Sequence, residues 1–297
     1  MTPARGALAS LLLLVLAGCG GEERAAVPSS RGATDPVEIG CRRVIALAPN
    51  LSETLFALGL GDRVVGVGDY STYPPEVREL PKLGGLFNPN LEKIVALKPD
   101  LAVLVPSEAD LARKLEGLGV DSITLSNETL GDIETSFRRL AERCGVPEAG
   151  ERLAAEFREG LKPAPLPGQP KVLLSAGRPV GRLADLVVAG PGTYFEELLA
   201  RLGAVNAFAD APARYPEIGM EDVIARAPDV IVEVRAEPVS PEVERQLIDD
   251  WNALPDIPAV RNRRIVVIDG DHAVVPGPRI PQLYQALRTA LAGGESR

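Results

Sequence analysis

Apolar and polar positions follow one pattern that occurs twice along the chain. From residue 90 to residue 104, apolar residues recur at helical spacing, a Pro-Asp pair follows, and an uninterrupted apolar run ends the segment. Residues 219 to 233 repeat this pattern, so that Glu92 of the first copy corresponds to Glu221, 129 positions later. Proline cannot continue a helix, and a continuous apolar run is typical of a strand that is covered on both faces. Each copy therefore predicts a short helix, a turn and a buried strand.

The segments on either side of the two copies correspond as well, in the same order. Strands are predicted at 43–48 and 171–176 and again at 121–125 and 264–268, and helices at 52–59 and 195–203. A helix with apolar residues at helical spacing closes each half, from Leu130 to Leu140 and from Ile280 to Leu291. Strands separated by helices of this length indicate parallel sheets with helices on both faces. We therefore predict the α/β class, with two similar lobes built on mainly parallel sheets, at 42–145 and 171–297.

Residues 146–170 separate the predicted lobes. Apolar residues recur at a spacing of four from Ala149 to Leu161, which predicts a helix over 148–161. Four prolines between residues 163 and 170 follow this helix, and proline-rich segments are semi-rigid spacers. The lobes are therefore expected to be joined by a rigid inter-lobe helix with a proline-rich exit.

The N-terminus has the composition of an export signal. A basic residue precedes a short apolar run, and small residues precede Cys19, which is typical of a secretory signal peptide over residues 1–18. The run is too short for a membrane span, which needs about 20 residues. Leu16-Ala-Gly-Cys19 resembles the lipobox of bacterial lipoproteins, in which the Cys carries the lipid; the alternative is an ordinary signal peptide. We expect an exported protein on the periplasmic or cell-surface side, anchored through a flexible tether over 19–41.

Two further cysteines remain after such processing. Cys41 precedes the first strand, and Cys144 ends the last helix of the first lobe. Outside the cytoplasm the two could form a disulfide across this lobe, or they could remain as two buried thiols, since sequence gives no distance between them.

Composition and charge exclude several classes of function. A net charge of −9 argues against a nucleic-acid partner, which would favour a basic face. The only histidine, His272, excludes a metal site built from several imidazoles, so we expect no metal and no resident cofactor.

An exported nucleotide-dependent α/β enzyme is the rival class, because the Gly190-Pro-Gly192 loop could cradle a phosphate. That loop lacks the third glycine of a dinucleotide fingerprint, and the sequence has no catalytic triad, so we predict a protein that is not an enzyme.

The fold class itself selects candidate binding residues. Ligands of open parallel sheets lie beyond the carboxyl ends of the strands. In the first lobe this rule selects Asn50 and Tyr70, and in the second it selects Tyr215 and Asp271. If the two lobes face each other across the connector, these side chains line one cleft.

Three segments carry a resemblance to a known family. They are 43–59, Val65-Gly-Val-Gly-Asp-Tyr-Ser-Thr-Tyr-Pro-Pro75 and 90–100, and the chain resembles the class III (helical-backbone) substrate-binding proteins of ABC importers over essentially all of 42–292. Within that class it is closest to the cobalamin-binding branch of the iron/cobalamin family. The resemblance implies a monomer that carries a corrinoid to a permease.

The resemblance also implies roles for particular residues. Tyr70 and Tyr215 would lie against the corrin, Asp271 would contact its polar periphery, and Asn50 and Phe87 would line the cleft. Haem ligated by Tyr70 is one alternative ligand. An iron–siderophore held by cations is the other, and the candidate cations are Arg178, Arg182, Arg214 and Arg279.

Glu92 and Glu221 correspond to glutamates that dock into arginine pockets on the permease. A local explanation stands beside this one, because a carboxylate in the first turn of a helix is stabilised by the helix dipole.

Overall fold

The computed structural model describes residues 41–293. Cys19, the predicted signal peptide and all but the last residue of the predicted tether lie outside these residues. The first half of the described chain contains the following elements: β1 (Val44–Ala46), α1 (Pro49–Ala57), β2 (Val64–Val67), β3 (Gly84–Gly85), β4 (Asn88–Pro89), α2 (Leu91–Ala96), β5 (Leu101–Leu104), α3 (Ala109–Glu116), β6 (Asp121–Thr124) and α4 (Leu130–Arg143). The strands β2-β1-β5-β6 form one parallel sheet in that order, and β3 pairs with β4 in a small hairpin.

The second half begins with α5 (Pro147–Gly160). The elements that follow are β7 (Lys171–Gly177), β8 (Leu186–Val188), α6 (Tyr194–Arg201), β9 (Val205–Asn206), β10 (Glu217–Ile218), α7 (Met220–Arg226), β11 (Val230–Arg235), α8 (Pro241–Asp249), α9 (Pro258–Arg261), β12 (Ile265–Asp269) and α10 (Ile280–Leu291). Their sheet has the order β10-β8-β7-β11-β12, with β9 beside β7. β7 pairs in parallel with β9 and β11, and β11 pairs in parallel with β12, whereas β8 pairs antiparallel with both β7 and β10. The predicted α/β class and mainly parallel sheets are confirmed.

Apolar side chains alternate between the two faces of each sheet, as strands covered on both sides require. In β1, Val44 and Ala46 belong to one buried cluster and Ile45 to another. In β7, Val172 and Leu173 divide between two clusters in the same way. Each lobe therefore has a core on both faces of its sheet.

The repeated Pro-Asp turn has the same physical role in both lobes. Asp100 accepts hydrogen bonds from the backbone N–H groups of Arg42 and Arg43, at 2.9–3.1 Å, where the chain enters β1. Asp229 accepts from the N–H of Lys171 at 2.9 Å, at the start of β7. Each carboxylate thus fixes the start of the central strand beside it, which explains why the aspartate recurs in the sequence pattern.

The same turns share an unusual backbone conformation. Lys98 and Ala227, 129 positions apart, have φ values of 46° and 45°, in the left-handed region that L-residues rarely adopt. This conformation ends α2 and α7 and directs the chain into Pro99 and Pro228. A basic residue at the entry to the neighbouring strand donates to a carbonyl oxygen at each helix end: Arg43 to the Leu97 oxygen at 2.6 Å, and Lys171 to the Arg226 oxygen at 3.0 Å.

Two helices, not one, cross between the lobes. Leu130, Ile133 and Phe137 of α4 pack into the core of the second lobe, whereas Leu140 of the same helix packs into the core of the first. The predicted boundary at residue 145 assigned all of α4 to the first lobe and therefore does not separate the two cores. Sequence periodicity identifies an apolar face but carries no information about which core that face enters.

The predicted connector helix α5 packs against α4. The rings of Phe137 and Phe157 meet edge to face with centroids 5.3 Å apart. Arg138 of α4 pairs with Glu151 of α5 at 2.8 Å. Glu134, which pairs with Arg138 at 2.7 Å within α4, also pairs with Arg158 of α5. The two lobes are thus joined by a packed helix pair, which is stiffer than the single helix predicted from the sequence.

Cys41 and Cys144 form a disulfide, with Cα atoms 5.2 Å apart. The Arg63 guanidinium donates hydrogen bonds to the carbonyl oxygens of both cysteines, at 3.2 and 3.0 Å. The bridge ties the start of β1 to the end of α4. Between residues 41 and 293, none of the helices combines the length and apolar character needed to cross a bilayer.

Candidate functional site

The carboxyl ends of the strands in the first lobe open into a cavity of about 490 Å³. Side chains from the loops after β1, β2, β5 and β6 line it, together with the β3–β4 hairpin. The polar and aromatic lining residues are Asn50, Tyr70, Phe87, Asn88, Ser107, Asn127 and Glu128. Three of the predicted cleft residues, Asn50, Tyr70 and Phe87, therefore lie together.

Two aromatic side chains at this cavity are highly exposed. Tyr70 is 75% exposed and Phe87 is 91% exposed. Aromatic residues of this size are usually buried, so two exposed side chains at one cavity suggest a surface that a ligand covers. Their flat faces suit a flat conjugated partner.

The backbone around these aromatics is fixed by close approaches. A Cβ atom at Gly68 would lie 1.9 Å from the Leu47 carbonyl oxygen, so only glycine allows the Tyr70 loop to pass beside the end of β1. Asp69 accepts a hydrogen bond from the Gly84 N–H at 3.0 Å, which ties that loop to the hairpin that carries Phe87. The loop and the hairpin thus form one connected wall.

Tyr215 approaches the same region from the second lobe. It is 38% exposed, and burial together with the negative charge of Glu128 raises the pKa of its phenol, while Arg214 opposes the shift. The Glu128 carbonyl accepts a hydrogen bond from the Tyr194 N–H at 2.7 Å across the lobes. Tyr215 does not line the cavity. Glu128, whose negative charge contributes to the raised pKa of Tyr215, does line it.

Asp271 lies in a polar cluster that joins the lobes, here called the inter-lobe cluster and made of Glu53, Thr72, Asp271 and Arg279. The Arg279 guanidinium donates to both carboxylate oxygens of Glu53 and, at 2.7 Å, to Asp271. Thr72 donates its hydroxyl to the other Asp271 oxygen at 2.9 Å. Both carboxylate oxygens of Asp271 are therefore engaged within the protein, and its predicted contact with a ligand stays a prediction.

Protonation in the inter-lobe cluster is governed by burial and by these hydrogen bonds. Burial raises the pKa of Glu53, against the effect of Arg279. For Asp271 burial acts in the same direction, but the bonds from Arg279 and Thr72 outweigh it, and the pKa is lowered. The Arg279 guanidinium also lies over the Tyr73 ring, 4.1 Å from its centroid, so the loop that carries Tyr70 is attached to the second lobe.

Arg178 is not available to a ligand, and this corrects its prediction as a siderophore contact. Its side chain is fully buried and pairs with Glu233 at 2.6 Å and Asp250 at 2.8 Å. Glu233 also accepts from the Trp251 indole at 2.8 Å, in the core of the second lobe.

The remaining candidate cations are also engaged. Arg182 pairs with Asp185 at 2.6 Å on the surface, and Arg214 donates to the Gly192 carbonyl at 3.2 Å. Arg279 belongs to the inter-lobe cluster. None of the four lines the cavity near Tyr70 with a free guanidinium.

The Gly190-Pro-Gly192 loop does not form a phosphate cradle. A Cβ atom at Gly190 would lie 2.3 Å from the Ala213 carbonyl oxygen, so the loop is packed against its neighbour. The N–H groups at the start of α6 are bonded to the protein, since Gly192 donates to Glu196 at 2.7 Å and Glu196 to the Thr193 hydroxyl at 3.2 Å. Within residues 41–293 there is also no cluster of three or more His, Cys, Asp or Glu residues able to hold a metal ion.

Glu92 and Glu221 occupy the first turns of α2 and α7, and both are exposed. In each helix an exposed apolar residue lies one turn further along the same face, Val95 at 44% and Ile224 at 54% exposure. Across the described part of the chain, neither glutamate has an ion pair. The two lobes thus present similar surfaces.

Asn127, Glu128 and Glu53 were not among the predicted site residues. Asn127 and Glu128 follow β6, so the rule about the carboxyl ends of strands is able to select them. Glu53 and Arg279 lie 226 positions apart, and no local pattern connects them.

Comparison with known proteins gives a consistent result. The family model described as periplasmic binding protein matches residues 44–272. A vitamin B12-binding protein of Vibrio cholerae is 30% identical over 257 residues, which cover 84% of this chain and 88% of that protein.

Among the solved structures that are similar to this one are two periplasmic binding proteins. The periplasmic vitamin B12-binding protein of Vibrio cholerae is 28% identical, with a TM-score of 0.70 over 85% of this chain and 97% of that chain. A periplasmic heme-binding protein from Roseiflexus sp. RS-1, in its apo form, is also 28% identical, with a TM-score of 0.69 over 85% of this chain and 98% of that chain.

Proposed function

The chain belongs to the periplasmic binding protein family, and from this premise we propose that it captures a corrinoid, with cobalamin the leading candidate, between its two lobes. Proteins of this family are the extracytoplasmic ligand-binding components of ABC importers and not enzymes. Members related to this chain bind vitamin B12 or heme, so the ligand must be argued from the cleft.

The chemistry of the cavity lining carries the proposal. The cavity is lined by the two aromatic residues Tyr70 and Phe87 and by the polar side chains of three asparagines, a serine and Glu128. Among the described residues, no Lys, Arg or His lines the cavity. Amide side chains both donate and accept hydrogen bonds, so they match the peripheral amides of a corrinoid. Aromatic faces match its conjugated plane.

Haem is the second candidate, and the exposed phenol of Tyr70 favours it, because a tyrosine oxygen can ligate haem iron. The cavity lining argues against haem. The two propionates of haem would contact amides and one carboxylate, and no cation in the described lining would neutralise them. A carboxylate buried without a partner is unfavourable. A ferric siderophore is less well supported, because Arg178 and Arg279 are committed to internal ion pairs.

The Tyr70→Phe variant discriminates between these ligands. Phenylalanine keeps the aromatic face but removes the oxygen that could ligate iron. Cyanocobalamin titrated into wild type and Tyr70→Phe, followed by quenching of intrinsic fluorescence, should give dissociation constants within about threefold of each other, since the stacking area is unchanged. Tyr70→Ala serves as the matched control and should weaken binding. Tight binding of hemin with an absorption spectrum that is lost in Tyr70→Phe, and no binding of cyanocobalamin, would contradict the proposal.

Delivery to a permease completes the proposed function. Glu92 and Glu221, one on each lobe, would enter cationic pockets on the two halves of a two-fold symmetric permease. Their exposure and their lack of an ion partner within the described residues support this role. The Leu16-Ala-Gly-Cys19 segment supports a lipid anchor at Cys19, with the carrier acting as a monomer at the membrane surface.

A further inference from the structure

Glu128 is the only charged residue among the described residues that line the cavity near Tyr70. The other polar lining groups are neutral amides and hydroxyls. A single carboxylate in such a lining sets the sign of the electrostatic potential that a ligand meets, because no cation in the described lining offsets it.

The position of Glu128 is fixed on both sides by backbone contacts. Its carbonyl oxygen accepts the Tyr194 N–H at 2.7 Å, which attaches it to the second lobe. Thr129, the next residue, caps α4: its hydroxyl accepts the Asp132 N–H at 3.0 Å, and the Asp132 carboxylate accepts the Thr129 N–H at 3.1 Å. The backbone of Glu128 is therefore held at one place beside the cleft and does not belong to a free loop.

The surroundings of Glu128 increase the local negative charge. Glu197 reaches the same helix start and accepts the Leu130 N–H at 2.9 Å. Between residues 41 and 293, Glu128 forms no ion pair. Its negative charge also acts on Tyr215 in the second lobe, where it adds to burial in raising the pKa of the phenol, while Arg214 opposes the shift. A ligand held between Tyr70 and Tyr215 would lie within this field.

We propose that Glu128 is a specificity-determining residue of the cleft, whose carboxylate favours neutral, amide-bearing macrocycles and rejects analogues in which an amide is replaced by a carboxylate. This inference rests on the proposed function, since it concerns the same site. Glu128 would distinguish ligands by the charge of their periphery, because it repels an anionic ligand, and no cation in the described lining attracts one. Selection by a repulsive group is a common way to separate ligands of similar shape.

The magnitude follows from Coulomb's law in a partly open cleft. Two like charges about 7 Å apart at an effective dielectric constant of about 20 to 40 repel enough to change affinity by roughly eightfold to sixtyfold. A neutral ligand experiences no such penalty. Removing the carboxylate should therefore strengthen binding of the anionic analogue and leave the neutral ligand nearly unchanged.

The test compares cyanocobalamin with its monocarboxylic acids, in which one peripheral amide has been hydrolysed, each positional isomer being titrated separately. For the wild type at low salt, the dissociation constant of at least one isomer should be about ten times that of cyanocobalamin. This ratio of dissociation constants should decrease at high salt because exposed charges are screened. In Glu128→Gln the ratio should fall to about twofold or less. Glu116→Gln is the matched control, because Glu116 is exposed at the end of α3, near the amino end of β6 and away from the cleft. This control should retain the wild-type ratio.

A ratio that is the same in wild type and Glu128→Gln, or that does not change with salt, would overturn the inference. Failure of the proposed ligand gives a different result: no corrinoid binds to wild type. In that case hemin and its dimethyl ester form the matched pair, and Glu128→Gln must strengthen hemin binding by more than ester binding, or the inference is wrong. A wild-type protein that binds neither class of ligand would overturn both proposals.

Discussion

The Arg279→Gln substitution removes the cation that joins the two lobes beside the cleft. In the folded protein the side chains of Glu53 and Arg279 are only 3% and 10% exposed, so their ion pair is screened little by water. Removing one partner of a buried ion pair costs about 3–5 kcal/mol, because the other charge is left buried without compensation. The loss of the contact with the Tyr73 ring adds about 0.5–1 kcal/mol. The amide of the substituted side chain could still donate one hydrogen bond to Glu53, so we expect a loss of about 3 kcal/mol at pH 8.

The pH dependence of this loss identifies its cause. Burial already raises the pKa of Glu53 in the wild type, and removing Arg279 should raise it further. A carboxyl group whose pKa is higher in the folded than in the unfolded state loses stability as the pH rises through that interval. The Arg279→Gln protein should therefore be about 1 kcal/mol less destabilised at pH 5, where Glu53 takes up a proton, than at pH 8.

Unfolding in guanidinium chloride at both pH values measures these free energies. The free energy of unfolding is obtained from the midpoint concentration of denaturant, provided that the slope m is the same in both proteins. The double variant Glu53→Gln/Arg279→Gln should be more stable at pH 8 than the sum of the two single losses predicts, because no buried charge remains. Arg182→Gln removes an exposed pair instead and should cost less than about 0.5 kcal/mol. A loss from Arg279→Gln as small as that control, or one that is equal at both pH values, would refute the reasoning.

Three further predictions concern other parts of the chain. The double variant Glu92→Gln/Glu221→Gln should lose uptake in cells while its melting temperature and ligand affinity stay near wild type, since a first-turn dipole interaction contributes under about 1 kcal/mol; normal uptake would leave only the dipole explanation. Mass spectrometry of the exported protein should find a lipid on Cys19, and Cys19→Ser should release the chain from membranes; a wild-type chain found unmodified and soluble would refute the anchor. Glu108 is buried, one of its carboxylate oxygens has no partner among the described residues, and burial raises its pKa from 4.5 to about 7. Its contribution to stability is thus present below about pH 4.5 and lost as the pH rises to about 7, so Glu108→Gln should reduce the fall in unfolding free energy over that interval by about 1–3 kcal/mol; an unchanged pH profile would contradict this.

Local features of the fold could be predicted because their causes are local. The repeated segment contains its own helix end and turn, and Pro99 with Asp100 and Pro228 with Asp229 appear in the sequence at the positions where the backbone needs them. Parallel strands follow from the same reasoning, since helices of this length return the chain to the same edge of the sheet.

The path of α4 could not be predicted, because the sequence shows only that one face is apolar. Leu130 and Leu140 lie on that face, yet they enter the cores of different lobes. The choice depends on the surfaces that α6, α10 and β7 present, which form only in the tertiary structure.

The candidate site was accessible from the sequence only in part. Asn50, Tyr70 and Phe87 line the cavity, because the carboxyl ends of parallel strands converge at one edge. Arg279 and Glu53 lie 226 positions apart, so their ion pair could not be predicted from the sequence. This pair makes Arg279, a predicted siderophore contact, unavailable to a ligand.

Capture of a corrinoid between the lobes is tested most directly by calorimetric titration of cyanocobalamin into the wild-type protein and into Tyr70→Ala/Tyr215→Ala. The account predicts one binding site in the wild type. It predicts a dissociation constant one to two decades higher in the double variant, because each aromatic face contributes about 1 kcal/mol beyond its buried area. Unchanged affinity in the double variant would place the site elsewhere. The absence of binding heat with cyanocobalamin and other corrinoids at several temperatures would contradict the assignment of the ligand.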